Sequence, residues 1–291
     1  MRIIYIGCVV FSKELFELLL KNSNIKIVGL VTKKNSTFNS DHYDLSKSII
    51  NTNIPFKYVK DINELKIKNW IKNLKPDLIF CFGWPTLLKK DILNLPKIGV
   101  VGYHPTILPK NRGRHPIIWA LILGLKETGS TFFFMDEEAD TGKIINQSRV
   151  KIDIKDDANS LYLKLIEASK IQLTEIIENF ISNKLIVFKK QSKGNFWRKR
   201  SKKDGLIDWR MSELSIYNLI RGLTRPYSGA HFEYQGKEIK VWKCEIIRNN
   251  STNIEPGKII SLTSKGIIVK TGDHSIHLTE FEDFEIKSSY L

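Results

Sequence analysis

The sequence contains little cysteine and no long apolar run. Three cysteines, Cys8, Cys81 and Cys244, lie far apart among 291 residues. Their odd number and wide spacing argue against a disulfide framework, show no metal-ligand pattern and suit a reducing cytoplasm. No apolar run approaches the ~20 residues that a membrane-crossing helix needs. The first residues, MRIIYIG, lack the apolar region and cleavage site of a signal peptide. We therefore expect a cytoplasmic protein with no membrane partner and no metal.

Acidic residues are outnumbered. The chain has 31 Asp and Glu against 46 Lys and Arg, a net charge of +15. Such an excess suits nucleic acid, an anionic membrane or a small anionic substrate. The simpler interpretation is compositional, because many lysines on a lysine-rich chain only face solvent. We favour that interpretation, and we expect part of the excess to serve small polyanionic ligands.

The first third of the sequence predicts an α/β fold. Strands at Arg2–Ile6 and Lys26–Thr32 flank an apolar helix at Lys13–Leu20, with Ser12 as its N-cap. This β-α-β start implies a parallel sheet with a right-handed crossover. The continuous apolar strand Asp77–Phe82 is typical of a sheet covered on both faces. Only Gly7 follows the first strand, so the G-x-G-x-x-G dinucleotide fingerprint is absent.

The last third of the sequence follows another pattern. After a helix at Glu213–Leu223, five short strands are separated by turn signals, which suggests a small barrel. The predicted strands are Ala230–Tyr234, Lys237–Arg248, Lys258–Leu262, Gly266–Thr271 and His274–Thr279. The predicted domains are residues 1–188, a basic linker at 189–203, and residues 204–291. The linker carries Phe196 and Trp197 among its cations, as a base-stacking surface would, but its place between two domains favours an anchored connection.

Candidate chemistry lies between Ile98 and Gln147. One short apolar strand leads to His104, and a second, Thr131–Met135, leads into an acidic loop that ends at Asp140. Neighbouring strands of a parallel sheet end on the same edge, so we expect these two side chains to meet there. An imidazole can accept a proton at neutral pH, and a carboxylate can fix its tautomer. Taken alone, such a histidine and aspartate are more often structural.

The segments HPTILPKNRGRHPI and ETGSTFFFMDEEADTGKII resemble the folate-dependent formyltransferases, which include methionyl-tRNA formyltransferase and the sugar N-formyltransferases. The resemblance covers nearly the whole chain and implies a Rossmann-like catalytic domain with a mostly parallel sheet, followed by an OB-like β-barrel. It implies N10-formyltetrahydrofolate as the formyl donor and catalytic roles for His104 and Asp140. The family's third catalytic residue, an asparagine, is Gly102 here. Loss of one oxyanion donor typically costs roughly 100- to 1000-fold in rate.

The same resemblance implies the binding residues. Those expected to hold the folate are Thr86, Leu87, Leu88, Asp136 and Asp140. Those expected on the side of the amino substrate are Ser12, Arg112 and Arg114. Arginine suits phosphate and sugar hydroxyls because its planar donors bind two oxygens at once. Relatives are often dimers, so a homodimer is a further expectation.

Two segments favour the sugar-modifying branch over the tRNA-modifying branch. The loop Lys33–Asp44 is short and partly acidic where tRNA enzymes carry a longer basic insertion, and Thr224–Tyr227 resembles the sugar enzymes. We expect formyl transfer to the primary amine of a nucleotide-linked amino sugar. Examples are a dTDP-linked 4-amino-4,6-dideoxy- or 3-amino-3,6-dideoxyhexose used in lipopolysaccharide O-antigen synthesis. The alternatives are methionyl-tRNA formylation, a catalytically impaired folate or nucleotide-sugar binding protein, and a nucleic-acid-binding module built on the C-terminal barrel.

Overall fold

The computed structural model describes residues 1–36, 40–182, 188–249 and 253–291. Part of the predicted loop Lys33–Asp44 lies outside the described residues. The same holds for part of the segment Asp153–Asn183, whose apolar residues at helical spacing predict a long helix. The contacts divide the chain into two compact units. The first comprises Met1–Gly113, Thr128–Val150 and Lys164–Phe196, and the second comprises Arg114–Glu127, Lys151–Leu163 and Trp197–Leu291. In the described ranges, no helix is both long and apolar enough to cross a membrane.

Seven strands form the sheet of the first unit: β1 (Arg2–Gly7), β2 (Lys26–Thr32), β3 (Phe56–Tyr58), β4 (Leu78–Phe82), β5 (Gly99–His104), β7 (Glu127–Phe134) and β8 (Ile144–Lys151). Their spatial order is β3-β2-β1-β4-β5-β7-β8. The pairs β1–β2, β2–β3, β1–β4 and β4–β5 are parallel. The predicted α/β class with a mostly parallel sheet is therefore confirmed. Strands β1 and β4 are almost entirely buried, as their unbroken apolar runs require.

Four helices belong wholly or largely to this unit: α1 (Val10–Leu20), α2 (Leu65–Asn73), α3 (Lys90–Leu93) and α5 (Ala158–Ile181). Helix α1 begins three residues earlier than predicted, with Val9 as its N-cap. Ser12 therefore occupies the third helical position, and its Oγ accepts the Val9 N–H at 3.4 Å. The sequence of Leu45–Asn51 predicts a helix, and the structure has a 3₁₀ helix at Leu45–Ile49.

Helices α4 (Pro116–Ile122) and α6 (Glu213–Leu223) belong to the second unit. Its five strands are β10 (Ala230–Tyr234), β11 (Lys237–Ile247), β12 (Ile259–Thr263), β13 (Gly266–Lys270) and β14 (Ser275–Phe281). They form an antiparallel sheet in the order β10-β11-β14-β13-β12, which confirms the predicted change of pattern. Its core includes Trp209, Leu219, Phe232 and Val241. The closing of this sheet into an OB-like barrel, and the domain boundaries near residues 188 and 204, stay predictions.

One feature of the sheet differs from expectation. Strand β7 runs antiparallel to β5, pairing His104 with Thr131 and Val101 with Phe134, so the argument from two parallel strands ending on one edge is wrong. The carboxyl end of β7 lies beside the first half of β5, where the Met135 N–H donates to the Val100 carbonyl at 2.8 Å. The loop that follows must fold back over the sheet to bring Asp140 to His104. Two further short strands, β6 (Arg112–Gly113) and β9 (Phe196–Trp197), pair with each other and were not predicted.

Candidate active site

His104 and Asp140 meet at the carboxyl end of β5. The Nδ1 atom of His104 lies 3.5 Å from Oδ2 of Asp140, and their side chains are 6% and 17% exposed. The other ring nitrogen, Nε2, lies 2.8 Å from the carbonyl oxygen of Asn111. A carbonyl only accepts hydrogen bonds, so Nε2 carries a hydrogen. In the neutral ring Nδ1 is then an acceptor that faces a second acceptor, Oδ2 of Asp140.

Three hydrogen bonds, donated by Gly113 and Gln191, hold the loop that carries Asp140. Asp140 has a left-handed backbone conformation, with φ at 61°. Its Oδ2 accepts the Gly113 N–H at 2.9 Å. The side-chain amide of Gln191 donates to the carbonyls of Asp140 (3.0 Å) and Gly142 (2.7 Å). Gln191 is therefore a positioning residue for the acidic loop, and the sequence analysis missed it.

Arg112 extends this support. It is 6% exposed, and its Nη2 and Nε donate to Oε1 of Gln191 at 2.7 and 3.2 Å. Nη2 also donates to the Ser192 carbonyl at 3.2 Å, and the guanidinium lies 5.5 Å from the centre of the Phe196 ring. These donors are thus used inside the protein, on the support of Asp140, whereas the resemblance expected them to contact the substrate.

Gly102 faces an apolar side chain at the position of the family's asparagine. A β-carbon built on Gly102 would lie 2.8 Å from Cγ of Met135, 3.3 Å from its Sδ and 3.1 Å from Cζ of Phe133. The backbone of Gly102 pairs with Cys81 on one side and Phe133 on the other. The space beside residue 102 is therefore filled by Met135, which provides no hydrogen-bond donor. This contact was not predicted, because Met135 follows β7 and Gly102 lies on β5, so the two residues are distant in sequence.

A groove joins the two predicted folate loops. Leu87 (52% exposed) and Leu88 (2% exposed) line a cavity of about 540 Å³, together with Lys89, Lys90, Asp91 and Glu137. A second cavity of about 800 Å³ shares Lys90 and Glu137 and extends past Met135, Asp136 and Phe188. An ion pair of 3.4 Å between Lys90 and Glu137 links the loops. Together the two cavities are lined by apolar side chains and by charged side chains of both signs, three lysines and four carboxylates. His104 and Asp140 are not among these lining residues.

The remaining predicted folate residues have local partners. Oγ1 of Thr86 accepts the indole N–H of Trp84 at 3.0 Å. Oδ1 of Asp136 accepts the hydroxyl of Thr141 at 2.6 Å. Both contacts are local to their loops, and folate contact by Thr86 and Asp136 stays a prediction. In the described ranges, no group of three or more His, Cys, Asp or Glu side chains is placed to hold a metal ion.

The predicted substrate residues do not gather in one place. Ser12 is fully buried, and its hydroxyl donates to the Phe82 carbonyl at 2.6 Å, a contact that fixes the turn after β1. Arg114 is exposed and belongs to the second unit, where its N–H donates to the Trp197 carbonyl at 3.1 Å. Substrate contact by Ser12, Arg112 and Arg114 stays a prediction.

The mostly parallel sheet of the first unit and the antiparallel sheet of the second unit are the two kinds of domain that the resemblance implies. Residues 1–177 match the formyl transferase family, and residues 199–287 match the formyl transferase C-terminal domain. The chain belongs to this family. The formyl donor of the family is N10-formyltetrahydrofolate.

Two members of the family illustrate how similar this chain is to its relatives in sequence. The bifunctional polymyxin resistance protein ArnA of Wigglesworthia glossinidia brevipalpis is 41% identical over 203 residues, which cover 69% of this chain and 31% of ArnA. The methionyl-tRNA formyltransferase of Alkaliphilus oremlandii is 32% identical over 287 residues, which cover 97% of this chain and 92% of that enzyme. The chain thus spans under a third of the first relative and nearly all of the second.

Solved structures share the fold. An N-formyltransferase from Helicobacter canadensis, in complex with folinic acid and dTDP-3-aminofucose, superimposes with a TM-score of 0.70 at 18% identity, covering 95% of this chain and 98% of that one. HypX from Aquifex aeolicus, in complex with tetrahydrofolic acid, has a TM-score of 0.68 at 16% identity and covers 97% of this chain and 44% of HypX. At these identities the likeness shows the fold alone.

Proposed function

We propose that this protein transfers the formyl group of N10-formyltetrahydrofolate to the primary amine of a nucleotide-linked amino sugar in the cytoplasm. The observation that carries the proposal is the contact between His104 and Asp140 at the carboxyl end of β5. The acceptor class is supported by the fold shared with the Helicobacter canadensis N-formyltransferase, which was solved in complex with dTDP-3-aminofucose. It is also supported by the sequence of the loop Lys33–Asp44, which is short and partly acidic.

The transfer forms a bond from the amine nitrogen to the formyl carbon and breaks the bond from that carbon to the folate nitrogen. The amine loses one proton, and the folate nitrogen gains one. The His104–Asp140 pair is suited to carry that proton, because Nδ1 and Oδ2 are two acceptors 3.5 Å apart. Once Nδ1 is protonated, both ring N–H groups have acceptors, Asp140 and the carbonyl of Asn111. We therefore assign proton transfer to the pair as a unit.

Stabilisation of the developing oxygen charge is the weak part of this site. The family's asparagine is replaced by Gly102, and Met135 fills the adjacent space. Both N–H groups of a protonated His104 already have acceptors in the protein. We therefore expect slow turnover, in line with the roughly 100- to 1000-fold cost of losing one donor.

The test is a panel of nucleotide-linked amino sugars incubated with N10-formyltetrahydrofolate, read by the gain of one formyl group in the mass of the sugar. The proposal predicts formylation of at least one amino sugar and none of the matching hydroxyl sugars. Tight binding of folate and sugar nucleotide without any transfer over long incubation would identify a binding protein instead.

A second candidate is formylation of methionyl-tRNA. It is favoured by the 32% identity to the Alkaliphilus enzyme, which extends over 97% of this chain, and by the net charge of +15. The same assay with methionyl-tRNA as acceptor decides between the two. A tRNA substrate would bind with affinity that falls steeply as salt rises, because binding releases counterions from the phosphate backbone.

A further inference from the structure

A cationic cavity lies wholly within the second unit, among residues that the folate and formyl chemistry do not use. Its volume is about 240 Å³, and it is lined by His115, Arg200, Ser201, Lys202, Gly205, Ser228, Gly229, His231 and Lys240. The lining thus includes three cationic side chains and two imidazoles. In the described residues that line it, there is no carboxylate.

Arg200 is the unusual member of this lining. Its Nε is buried and has no hydrogen-bond partner. Buried polar atoms in proteins are almost always paired, so an unpaired guanidinium nitrogen calls for a specific reason. Burial is also the main influence that lowers the pKa of this arginine. A cation held at such a cost is expected where an anion binds.

The nearby carboxylates form their hydrogen bonds with residues other than Arg200. Asp204 accepts hydrogen bonds from both terminal nitrogens of Arg198 and from the backbone and hydroxyl of Ser201. Glu238 forms ion pairs with Lys202 and Lys240. These two lysines hold the pKa of Glu238 down to about 2. Asp204 therefore acts on Arg200 through its charge alone, which offsets part of the lowering of the arginine's pKa, and the buried Nε of Arg200 has no hydrogen-bond partner.

The two histidines add neutral polar groups. His231 is 4% exposed, and its Nε2 lies 3.8 Å from Oε2 of Glu238. Burial lowers the pKa of His231, and it lowers that of His115 too, where Arg200 and Arg114 add to the effect. A β-carbon on Gly205 would lie 3.4 Å from Nδ1 of His231 and 3.5 Å from Nη2 of Arg200, so the arginine and this histidine border the same glycine.

We propose that this cavity binds a phosphate group, with the Arg200 guanidinium as its principal contact and the imidazoles of His115 and His231 beside it. A planar guanidinium donates to two phosphate oxygens at once, and an imidazole provides a further donor. The enclosed volume suits one phosphoryl or diphosphoryl group of a small molecule. Binding of phosphate does not depend on whether the chain transfers formyl groups, so the proposal stands or falls separately from that activity.

The test is a titration of the full-length protein with pyrophosphate, dTDP, thymidine and inorganic phosphate at fixed ionic strength, without folate. Pyrophosphate and dTDP should bind, and thymidine should not. Binding of dTDP tighter than pyrophosphate would show that the phosphate belongs to a nucleotide, and equal binding would point to free phosphates. Failure of all four to bind at millimolar concentration, or equal binding of thymidine and dTDP, would overturn the proposal.

The matched variants are Arg200→Gln and Arg210→Gln. Arg210 lies in the same unit, is 83% exposed and is paired with Asp208, so its removal controls for the loss of one charge. R200Q should weaken dTDP binding at least about tenfold, the loss expected for a charge-assisted hydrogen bond, and R210Q should not. Because the buried Nε of Arg200 has no hydrogen-bond partner to lose, R200Q should melt within about 2 °C of wild type without ligand. Unchanged affinity in R200Q would overturn the assignment.

Histidine resonances of the wild-type protein give a readout that needs no variant. The chain has six histidines. When pyrophosphate is added, the ring resonances of His115 and His231 should shift. The pKa values of these two rings should rise, because a nearby anion favours the protonated ring. The resonances of His42 and His274 should stay in place. Shifts confined to the latter pair would place the ligand elsewhere and contradict the proposal.

Discussion

The surroundings of Asp140 and those of Arg200 treat a charged side chain in opposite ways. The Asp140 carboxylate faces His104 and accepts the Gly113 N–H, and Gln191 holds its backbone carbonyl. The guanidinium of Arg200 lines a cavity with a buried nitrogen that has no partner. One group is fixed by the protein before any ligand arrives, whereas the other is held ready for one.

The difference shows how a fold can divide two tasks. Catalytic groups must hold their geometry before the reaction, because reorganisation during the reaction raises the barrier. Binding groups gain affinity when a ligand satisfies them, and they can lower the stability of the free protein in exchange. Four experiments test the roles assigned to these two groups of residues, in order of decreasing expected effect.

Removal of the imidazole should have the largest effect. H104A should lower kcat by roughly 100- to 10,000-fold, the range typical of a general acid–base group, with folate affinity almost unchanged. D140N should also lower kcat, because an amide cannot share a proton with Nδ1, although its oxygen can still accept the Gly113 N–H. Single-turnover rates and folate titrations measure the two quantities. Near-normal turnover in both variants would remove the pair from catalysis.

Restoration of the family's asparagine is the second experiment. G102N alone should lose about 1–3 kcal/mol of stability, because its β-carbon would lie 2.8 Å from Cγ of Met135. G102N/M135A has room for the side chain and should recover stability, while kcat rises by up to roughly 100- to 1000-fold. M135A alone is the control and should give no gain in rate. A double variant that is stable but no faster would show that another group already fills the donor's role.

The support of the acidic loop comes third. Q191L leaves two carbonyls and the buried Arg112 without this partner, so we expect a loss of about 1–3 kcal/mol and a fall in kcat of about tenfold from misplacement of Asp140. Q147L is matched, since Gln147 also donates two hydrogen bonds, to the Leu108 carbonyl and Thr131. The Q147L variant should therefore lose stability but keep the kcat of the wild-type protein. Equal kcat in both variants would make Gln191 purely structural.

The smallest expected effect is on the stability of the protein as pH falls, through the two histidines that line the cavity. Burial holds the folded-state pKa values of His115 and His231 below their unfolded values. Their stability contribution is therefore present above the ordinary histidine pKa and is lost as pH falls below it. From about pH 7.5 to about pH 5.5, the Tm of wild type should fall by about 2 °C more than that of H115N. Asparagine suits the left-handed backbone at residue 115 (φ 55°, ψ 44°). Identical slopes would mean that folding leaves the pKa of His115 unchanged.

Much of this architecture was predictable because it is encoded locally. Apolar runs at Arg2–Ile6 and Asp77–Phe82 match β1 and β4 closely, and the five short strands of the second unit follow their turn residues. The juxtaposition of His104 and Asp140 was expected for a wrong reason, because β7 is antiparallel to β5 and a returning loop brings the carboxylate back. Strand direction depends on long-range pairing, which periodicity does not encode.

The missed features all depend on residues distant in sequence. Gln191 contacts Asp140 across 51 positions, and Arg112 contacts Gln191 across 79. Met135, just after the end of β7, fills the space beside Gly102 on β5. The cavity combines residues from 115 to 240, and an unpaired guanidinium has no signature in the sequence. Ser12 was misjudged because a helix can begin before its first obvious capping residue.

The contact between Met135 and Gly102 also bears on how this chain can change over generations. A lone substitution by asparagine meets the Met135 side chain, whereas a smaller residue at 135 supplies no hydrogen-bond donor by itself. An asparagine at residue 102 therefore requires a second substitution at residue 135. Neither change alone restores the donor, so the two positions can only change usefully together.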